Sequence, residues 1–165
     1  MTGAQRVRQP TLRMLLLAAP LIFVAHFLEE GPRFVAWVNA HVSRGITEPL
    51  FWTVNFTALA ITLAVVILEW LSGSKISAAL VVAWLALLMF ANGVLHIVGA
   101  LIDGVYVPGL VTAVVLYLPF FTWVVVRVIR SGRLSRGAVI AAAMIGSAPM
   151  AVHGYLILFR GSRLF

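Results

Sequence analysis

Five long apolar segments leave this chain of 165 residues little freedom in its fold. Each segment is close to the roughly 20 residues that a helix needs to cross a bilayer. Only 10% of the residues are charged, against about 25% in a typical soluble domain. The segments cover residues 12–30, 49–71, 76–102, 107–127 and 138–159. They predict an all-α fold: a polytopic membrane helix bundle with about five transmembrane helices, in a single domain spanning residues 1–165.

The charged residues lie mainly at the ends of these segments. Eight of the twelve Lys and Arg residues fall at one set of segment ends and four at the other. The excess of positive charge on cytoplasmic loops then predicts a cytoplasmic N-terminus and an outside C-terminus, in the plasma (inner) membrane. The net charge of +7 forms no basic stripe interleaved with aromatic residues, so no nucleic-acid partner is predicted, and membrane lipids are the expected surroundings.

Several features of the connections and segment interiors add to this prediction. Residues 31–47 have one apolar side and are predicted to lie as a short amphipathic segment on the membrane interface. Proline at positions 20, 119 and 149 is expected to kink three helices and open a cavity. Glu69 is expected to reach the inner surface near Lys75. The chain has no cysteine, which excludes disulfides, thiolate metal sites and cysteine nucleophiles.

Nine polar residues fall at the same predicted depth. Because successive helices run antiparallel, the end of an odd segment and the start of an even segment lie at the same face, here predicted to be the outer one. Ionisable groups inside a membrane are costly, and their presence indicates function. The nine residues are His26, Glu29, Glu30, Asn55, Asn92, His96, Asp103, Tyr106 and His153. Their common depth predicts a shared functional site.

The spacing of these residues indicates metal binding or acid–base chemistry. Glu29 and Glu30 follow His26 at three and four residues, so all three share one side of a helix. Histidine and carboxylate ligands suit a divalent metal, either Zn²⁺ or Fe²⁺. The predicted metal ligands are His26, Glu29, His96 and His153. The predicted catalytic residues are Glu30 as acid or base, Tyr106 as proton donor and Asn92, with Asn55, as a contact to substrate or ligands.

The leading functional hypothesis is an enzyme that acts on a lipid or another apolar small molecule near the outer leaflet. Its metal-dependent form would be a hydrolase or an oxidoreductase. A metal-free form would be an acid–base isomerase or cyclase, similar in architecture alone to small five-span sterol isomerases and terpene cyclases. A small transporter and a structural or partner-binding subunit remain alternatives, and His153 also fits a plain packing role. The substrate, the reaction and the oligomeric state stay open.

The sequence His26-Phe27-Leu28-Glu29-Glu30 resembles the motif that gives the HXXEE family of small membrane proteins its name. The resemblance continues through Asn92 and His96 to Tyr106-Val107-Pro108-Gly109, and by motif it covers residues 12–109. It implies a small polytopic membrane protein whose shared polar residues form an active site. The family is largely uncharacterised, so the resemblance implies no substrate, and His153 lies outside its motifs.

Overall fold

A computed structural model describes residues 11–31, 33–43 and 45–160 of the chain, and within these residues it contains helices and no strands. The helices are α1 (Leu12–Glu30), α2 (Phe34–His41), α3 (Glu48–Ser72), α4 (Lys75–Asp103), α5 (Leu110–Arg130) and α6 (Arg136–Arg160). All except α2 are long and apolar enough to cross a membrane. The predicted all-α fold with five membrane-spanning helices is therefore confirmed.

The membrane-spanning helices run up and down, so that their ends meet at two faces. At one face the hydroxyl of Tyr106, just before α5, donates a hydrogen bond to Glu29 at the end of α1. At the other face Arg133, between α5 and α6, pairs with Glu69 near the end of α3. We call these the site face and the opposite face. Helix α4 is central and packs against α3, α5 and α6.

Three of the long helices contain an interruption. Helix α1 has a turn at residues 17–18, directly before Ala19 and Pro20, and α5 has a π-helical turn over Ala113–Tyr117 that ends just before Pro119. Proline has no N–H to bond to the carbonyl four residues earlier, so a break at these points is expected. Helix α4 has a second π-helical turn over Ala86–Ala91. Helix α6 continues without a break through Pro149.

Helix α5 begins later than the predicted start near residue 107. Residues 106–109 form a turn before it, in which Gly109 has a φ of +92°. Glycine adopts this left-handed conformation without the steric cost that a Cβ would bring. The turn brings its backbone over the site face, where the polar residues lie.

Glu69 lies elsewhere than the sequence predicts. Its side chain is buried, with only 1% of the residue exposed, and it does not reach the surface near Lys75. Nη1 of Arg133 lies 2.7 Å from its Oε1, and the Ser77 hydroxyl donates to its Oε2 over 2.6 Å. The expectation of an exposed Glu69 was wrong because the α5–α6 connection supplies a cation inside the protein.

Helix α6 uses small residues to approach α4 closely. A Cβ on Gly146 would overlap the backbone carbonyl of Ala83, and the Ser147 hydroxyl donates to the carbonyl of Ala86 over 3.4 Å. Small residues at such positions let helix backbones pack closely in membranes. Part of the small-residue surface of α6 is thus used within the chain.

Candidate metal and acid–base site

Three ionisable side chains meet inside the bundle near the site face. Oε1 of Glu30 lies 3.3 Å from Nε2 of His26 and 3.0 Å from Nε2 of His96. Both histidines are fully buried and Glu30 is 4% exposed. One ligand atom from each residue lies within 4.8 Å of the others, so together they can hold a metal ion. We call them the His–Glu–His cluster.

Local sequence explains how these side chains come together. His26 and Glu30 lie one turn apart on α1, which places them on the same side of the helix, and His96 projects from α4. The turn of residues 106–109 closes the cluster from above. A Cβ on Gly109 would lie 2.7 Å from Cε1 of His96 and 2.9 Å from Cε1 of His26. The positive φ and this close contact both require glycine at position 109.

Hydrogen-bonding groups lie on both sides of the His26 imidazole. The Thr112 hydroxyl lies 3.2 Å from the carbonyl of Gly109 and 2.8 Å from Nδ1 of His26, so its oxygen can accept a proton from Nδ1 when its own proton goes to the carbonyl. On the other side, Nδ2 of Asn92 lies 3.1 Å from Nε2 of His26, and it can donate to Nε2 in the same tautomer. An imidazole with its proton on Nδ1 has a lone pair on Nε2, and this is the form that binds metals.

With the proton of His26 on Nδ1, the cluster needs a cation between His26 and Glu30. The Nε2 lone pair of His26 and the carboxylate of Glu30 are both acceptors, and they lie 3.3 Å apart in a buried site. Neither ring nitrogen of His96 makes an aligned hydrogen bond within the described residues. In a tetrahedral zinc site with bonds of about 2.0–2.1 Å, neighbouring ligand atoms lie roughly 3.3 Å apart. The distances in the cluster therefore suit a metal ion, and a second proton on an imidazole would also balance the charge.

Tyr117 packs directly on the cluster. Its ring centroid lies 4.0 Å from that of His26, with 31° between the planes. Its hydroxyl is buried and makes no hydrogen bond within the part of the chain that the structure describes. The sequence prediction did not include Tyr117 or Thr112, because both lie in the apolar run of α5, where only their polar atoms hint at a role.

Glu29 points away from the cluster. Its carboxylate accepts hydrogen bonds from the backbone N–H groups of Val111 and Thr112, over 3.0 Å and 2.8 Å, at the start of α5. Free N–H groups and the helix dipole favour a negative charge at this end of a helix. Glu29 also accepts a hydrogen bond from the hydroxyl of Tyr106, whose pKa is raised to about 12 by burial and by this contact. Glu29 and Tyr106 together fasten the 106–109 turn over the cluster.

Three more of the predicted site residues, Asn55, Asn92 and His153, line a cavity beside the cluster. The cavity has a volume of about 480 Å³ and is lined by residues of α1, α2, α3, α4 and α6. Glu30, Asn55, Asn92 and His153 all line it, so the cluster and the cavity share Glu30. His153 is not among the three residues that can share one metal ion in the described chain. The side-chain amide of Asn55 donates to the carbonyl of Phe51 over 3.0 Å, within its own helix.

Asp103 serves a different group of residues, at the surface of the site face. Its Oδ2 accepts a hydrogen bond from Nε1 of Trp37 over 2.7 Å, and its Oδ1 lies 3.0 Å from Nε2 of His41. Burial by itself lowers the pKa of His41, but the hydrogen bonds to the Trp37 carbonyl and to Asp103 outweigh this and raise it above its ordinary value. These contacts hold α2 across the site face. Phe34 on α2 thereby comes within 5.7 Å of His96, measured between ring centroids.

Comparison with known proteins gives one match. The sequence model of a family described as "protein of unknown function with HXXEE motif" matches residues 17–124. The matched segment contains the His–Glu–His cluster and the turn above it, and it ends before His153. No curated protein and no solved structure matches the chain.

Proposed function

The chain belongs to the HXXEE-motif family, and we propose that it is a membrane-embedded metalloenzyme. In this proposal His26, Glu30 and His96 bind a divalent metal ion, Zn²⁺ or Fe²⁺. The enzyme acts on a lipid or another apolar substrate that reaches the cluster through the adjoining cavity. The distribution of Lys and Arg supports a site near the outer leaflet of the plasma membrane, with the N-terminus in the cytoplasm.

The observation that carries the proposal is the arrangement of acceptors around Nε2 of His26. When Thr112 accepts the proton of Nδ1, the Nε2 lone pair of His26 faces the carboxylate of Glu30 at 3.3 Å. A buried pair of acceptors is costly unless a cation lies between them. A metal ion bound by both histidines and by Glu30 provides that cation.

The donor set limits the chemistry. Two histidines and one carboxylate leave coordination positions open for water or substrate, as in catalytic zinc sites and in the iron sites of oxygenases. A bound metal ion supplies a polarised substrate oxygen or a nucleophilic hydroxide at neutral pH. Asn92 lies beside the cluster and lines the cavity, so its amide can orient a substrate oxygen. A zinc ion at this site would support hydrolysis of the substrate, and an iron ion would support its oxidation.

One observation favours a second candidate, a metal-free acid–base enzyme. Glu30 lies within 3.3 Å of two imidazoles, so a single proton can be exchanged among three groups. Such an arrangement can donate a proton to a substrate and accept a proton from it, as isomerisation or cyclisation requires. The same cavity would then hold the substrate, and the metal ion would be absent.

Metal analysis by mass spectrometry on protein purified in detergent tests the proposal. Wild-type protein should carry close to one zinc or iron per chain. Glu30→Gln and the double variant His26→Ala, His96→Ala should lose it. Glu48→Gln and His153→Ala are matched controls, because they remove an exposed carboxylate at the start of α3 and an imidazole outside the cluster. Both controls should keep the metal.

The outcomes separate the alternatives. Wild-type protein that holds no metal, even after incubation with zinc or with ferrous iron under anaerobic conditions, would overturn the metalloenzyme and favour acid–base chemistry. Loss of metal in His153→Ala would add His153 to the ligand set, as the sequence predicts. Folding of every variant is checked by its elution profile and its helical circular dichroism.

A further inference from the structure

We propose that the 480 Å³ cavity binds the hydrocarbon chain of one uncharged lipid, which enters sideways from a single leaflet. The polar group of this lipid, an alcohol, ester or amide, would lie beside Glu30 and Asn92. The inference rests on the proposed function, since it names the substrate class of the same site.

The cavity opens toward the lipid side of the bundle. Helices α3 and α6 both pack on or beside α4, and the cavity lies between them. On α3 its wall includes Leu50, Val54 and Ile61, which are 43%, 57% and 40% exposed. On α6 it includes Met150 and His153, both partly exposed. In a membrane-spanning bundle such side-facing residues contact lipid chains, so a lipid can enter without crossing water.

The length of the cavity matches one leaflet. Its wall on α3 runs from Leu50 to Ile61, which corresponds to about 16 Å at 1.5 Å per residue. The hydrocarbon core of a bilayer is about 30 Å thick, so one leaflet contributes about half of that. The volume also lies within the range of about 300–1,000 Å³ that is usual for small-molecule sites. The cavity therefore fits a chain that lies along one leaflet.

The polar residues of the cavity wall lie above an apolar deep part. Glu30 and Asn92 line the wall together, and Phe23 and Trp84 lie about two helical turns deeper on the same helices. The wall nearer the site face, at Leu50, is apolar as well, so the hydrogen-bonding groups form a band within the cavity. The indole N–H of Trp84 donates to the hydroxyl of Thr62 over 2.9 Å, so this donor is satisfied inside the protein. The deep part thus presents hydrocarbon to a lipid chain, and the band around Glu30 and Asn92 presents hydrogen-bonding groups.

The charge of the lining selects against ionic lipids. None of the described residues that line the cavity is Lys or Arg, and the ionisable residues there are Glu30 and His153. A phosphate or a free fatty-acid carboxylate would lose its hydration on entering this cavity. At most the metal ion of the cluster would then balance its negative charge, which is costly in a membrane interior. An uncharged polar group needs only hydrogen bonds, which the Asn92 amide can provide. The lining therefore favours a neutral lipid.

Photo-crosslinking tests this inference. The probe is a long-chain primary alcohol with a diazirine in its chain, added to the protein in lipid nanodiscs, and labelled peptides are mapped by mass spectrometry. Label should concentrate on residues 50–61 of α3 and 150–157 of α6. An unlabelled long-chain alcohol or monoacylglycerol should compete, whereas a fatty acid at alkaline pH or a lysophospholipid should need at least tenfold higher concentration. Ala58→Trp fills the cavity and should reduce labelling at least tenfold.

A matched control keeps the test independent of folding and of the metal. Leu21→Trp adds the same side chain on the exposed outer surface of α1, where the leucine is 72% exposed, and should leave labelling unchanged. Labelling that persists in Ala58→Trp, or equal competition by ionic lipids, would overturn the inference. Metal bound without cavity labelling rejects the lipid site and leaves the metalloenzyme intact. Cavity labelling in a protein that binds no metal supports the lipid site and rejects the metalloenzyme.

Discussion

Glu30 and Glu69 are both carboxylates buried in membrane-spanning helices, at opposite faces of the same bundle, and they have different neighbours. Glu69 is 1% exposed and has a permanent cation, since Nη1 of Arg133 lies 2.7 Å from its Oε1. Glu30 is 4% exposed and faces the imidazoles of His26 and His96. Arginine stays protonated inside proteins, whereas histidine gains and loses its proton or binds a metal near neutral pH.

The difference separates a structural carboxylate from a functional one. The pair of Glu69 and Arg133 is complete without any ligand, and the Ser77 hydroxyl occupies the second carboxylate oxygen. It ties the α5–α6 connection to the turn between α3 and α4. Glu30 has no such fixed partner among its described neighbours, so its charge is balanced by something exchangeable. The sequence places both glutamates near the ends of apolar segments and predicts Glu30 in the site, but it does not predict that Glu69 is buried against a cation.

The largest effect on stability is expected from Glu69→Gln. Breaking a buried ion pair costs about 3–5 kcal/mol, and the partial exposure of Arg133 reduces this to about 2–3 kcal/mol. The free energy of unfolding is measured by chemical denaturation in detergent, and the metal content should stay at the wild-type level. The double variant Glu69→Gln, Arg133→Gln should regain part of the loss, because no unpaired charge remains. Equal stability of Glu69→Gln and wild type would show that the pair is not structural.

Glu30→Gln is expected to have the opposite profile. Its affinity for metal should fall by at least about tenfold, equivalent to about 1.4 kcal/mol, because a neutral amide replaces a charged ligand. Its stability in the presence of a chelator should equal or exceed that of the wild type, since a buried charge has been removed. Metal affinity is measured by competition with a fluorescent chelator, and stability by denaturation as for Glu69→Gln. A large loss of stability without metal would make Glu30 a structural residue like Glu69.

The turn over the cluster provides a third test, Gly109→Ala. Gly109 and Gly104 both have positive φ, +92° and +65°, so alanine at either position costs roughly 1–2 kcal/mol in backbone strain. A Cβ at Gly109 meets His96 at 2.7 Å, whereas a Cβ at Gly104 meets nothing within 4 Å. Both variants should therefore lose stability, Gly109→Ala more than Gly104→Ala because of this overlap, but only Gly109→Ala should lose metal affinity, by several-fold to tenfold. Equal metal affinity in the two variants would remove the turn from the site.

Much of this comparison can be anticipated from the sequence. The lengths and hydropathy of the five segments fix the helices, and antiparallel order fixes which polar residues share a depth. The sequence therefore predicts that His26, Glu30 and His96 lie near one another. The sequence prediction takes Glu29 as the metal ligand and Glu30 as the acid or base, but spacing alone does not support that choice, because residues three and four positions from a histidine lie on nearly the same side of a helix. The start of α5 decides between them, since its N–H groups take Glu29.

The pairings between helices cannot be anticipated in this way. Arg133 meets Glu69, and Thr112 meets His26, only because of the way neighbouring helices are rotated and shifted against each other. These rotations and shifts depend on packing along the whole helix, and no local sequence pattern predicts them. Gly109 lies within a recognisable motif, but its contact with the histidines follows from the path of the turn.

The smallest effect is expected at a third carboxylate, Asp103, whose cation is titratable. Asp103 on α4 is the charged group facing His41, and the Trp37 carbonyl on α2 accepts the second imidazole proton. Because the pKa of His41 is raised in the folded protein, its stabilising contribution is complete below about pH 6.5 and is lost as the pH rises through the raised value. The wild type should therefore exceed His41→Ala in stability by up to about 1 kcal/mol at about pH 5.5, and this difference should shrink toward zero at about pH 8.5. Asp103→Asn should weaken the same pH dependence, because the hydrogen bond to the Trp37 carbonyl then opposes the effect of burial on the pKa of His41 alone. A stability difference that does not change with pH would show that Asp103, like Glu69, does not depend on a partner that gains and loses a proton.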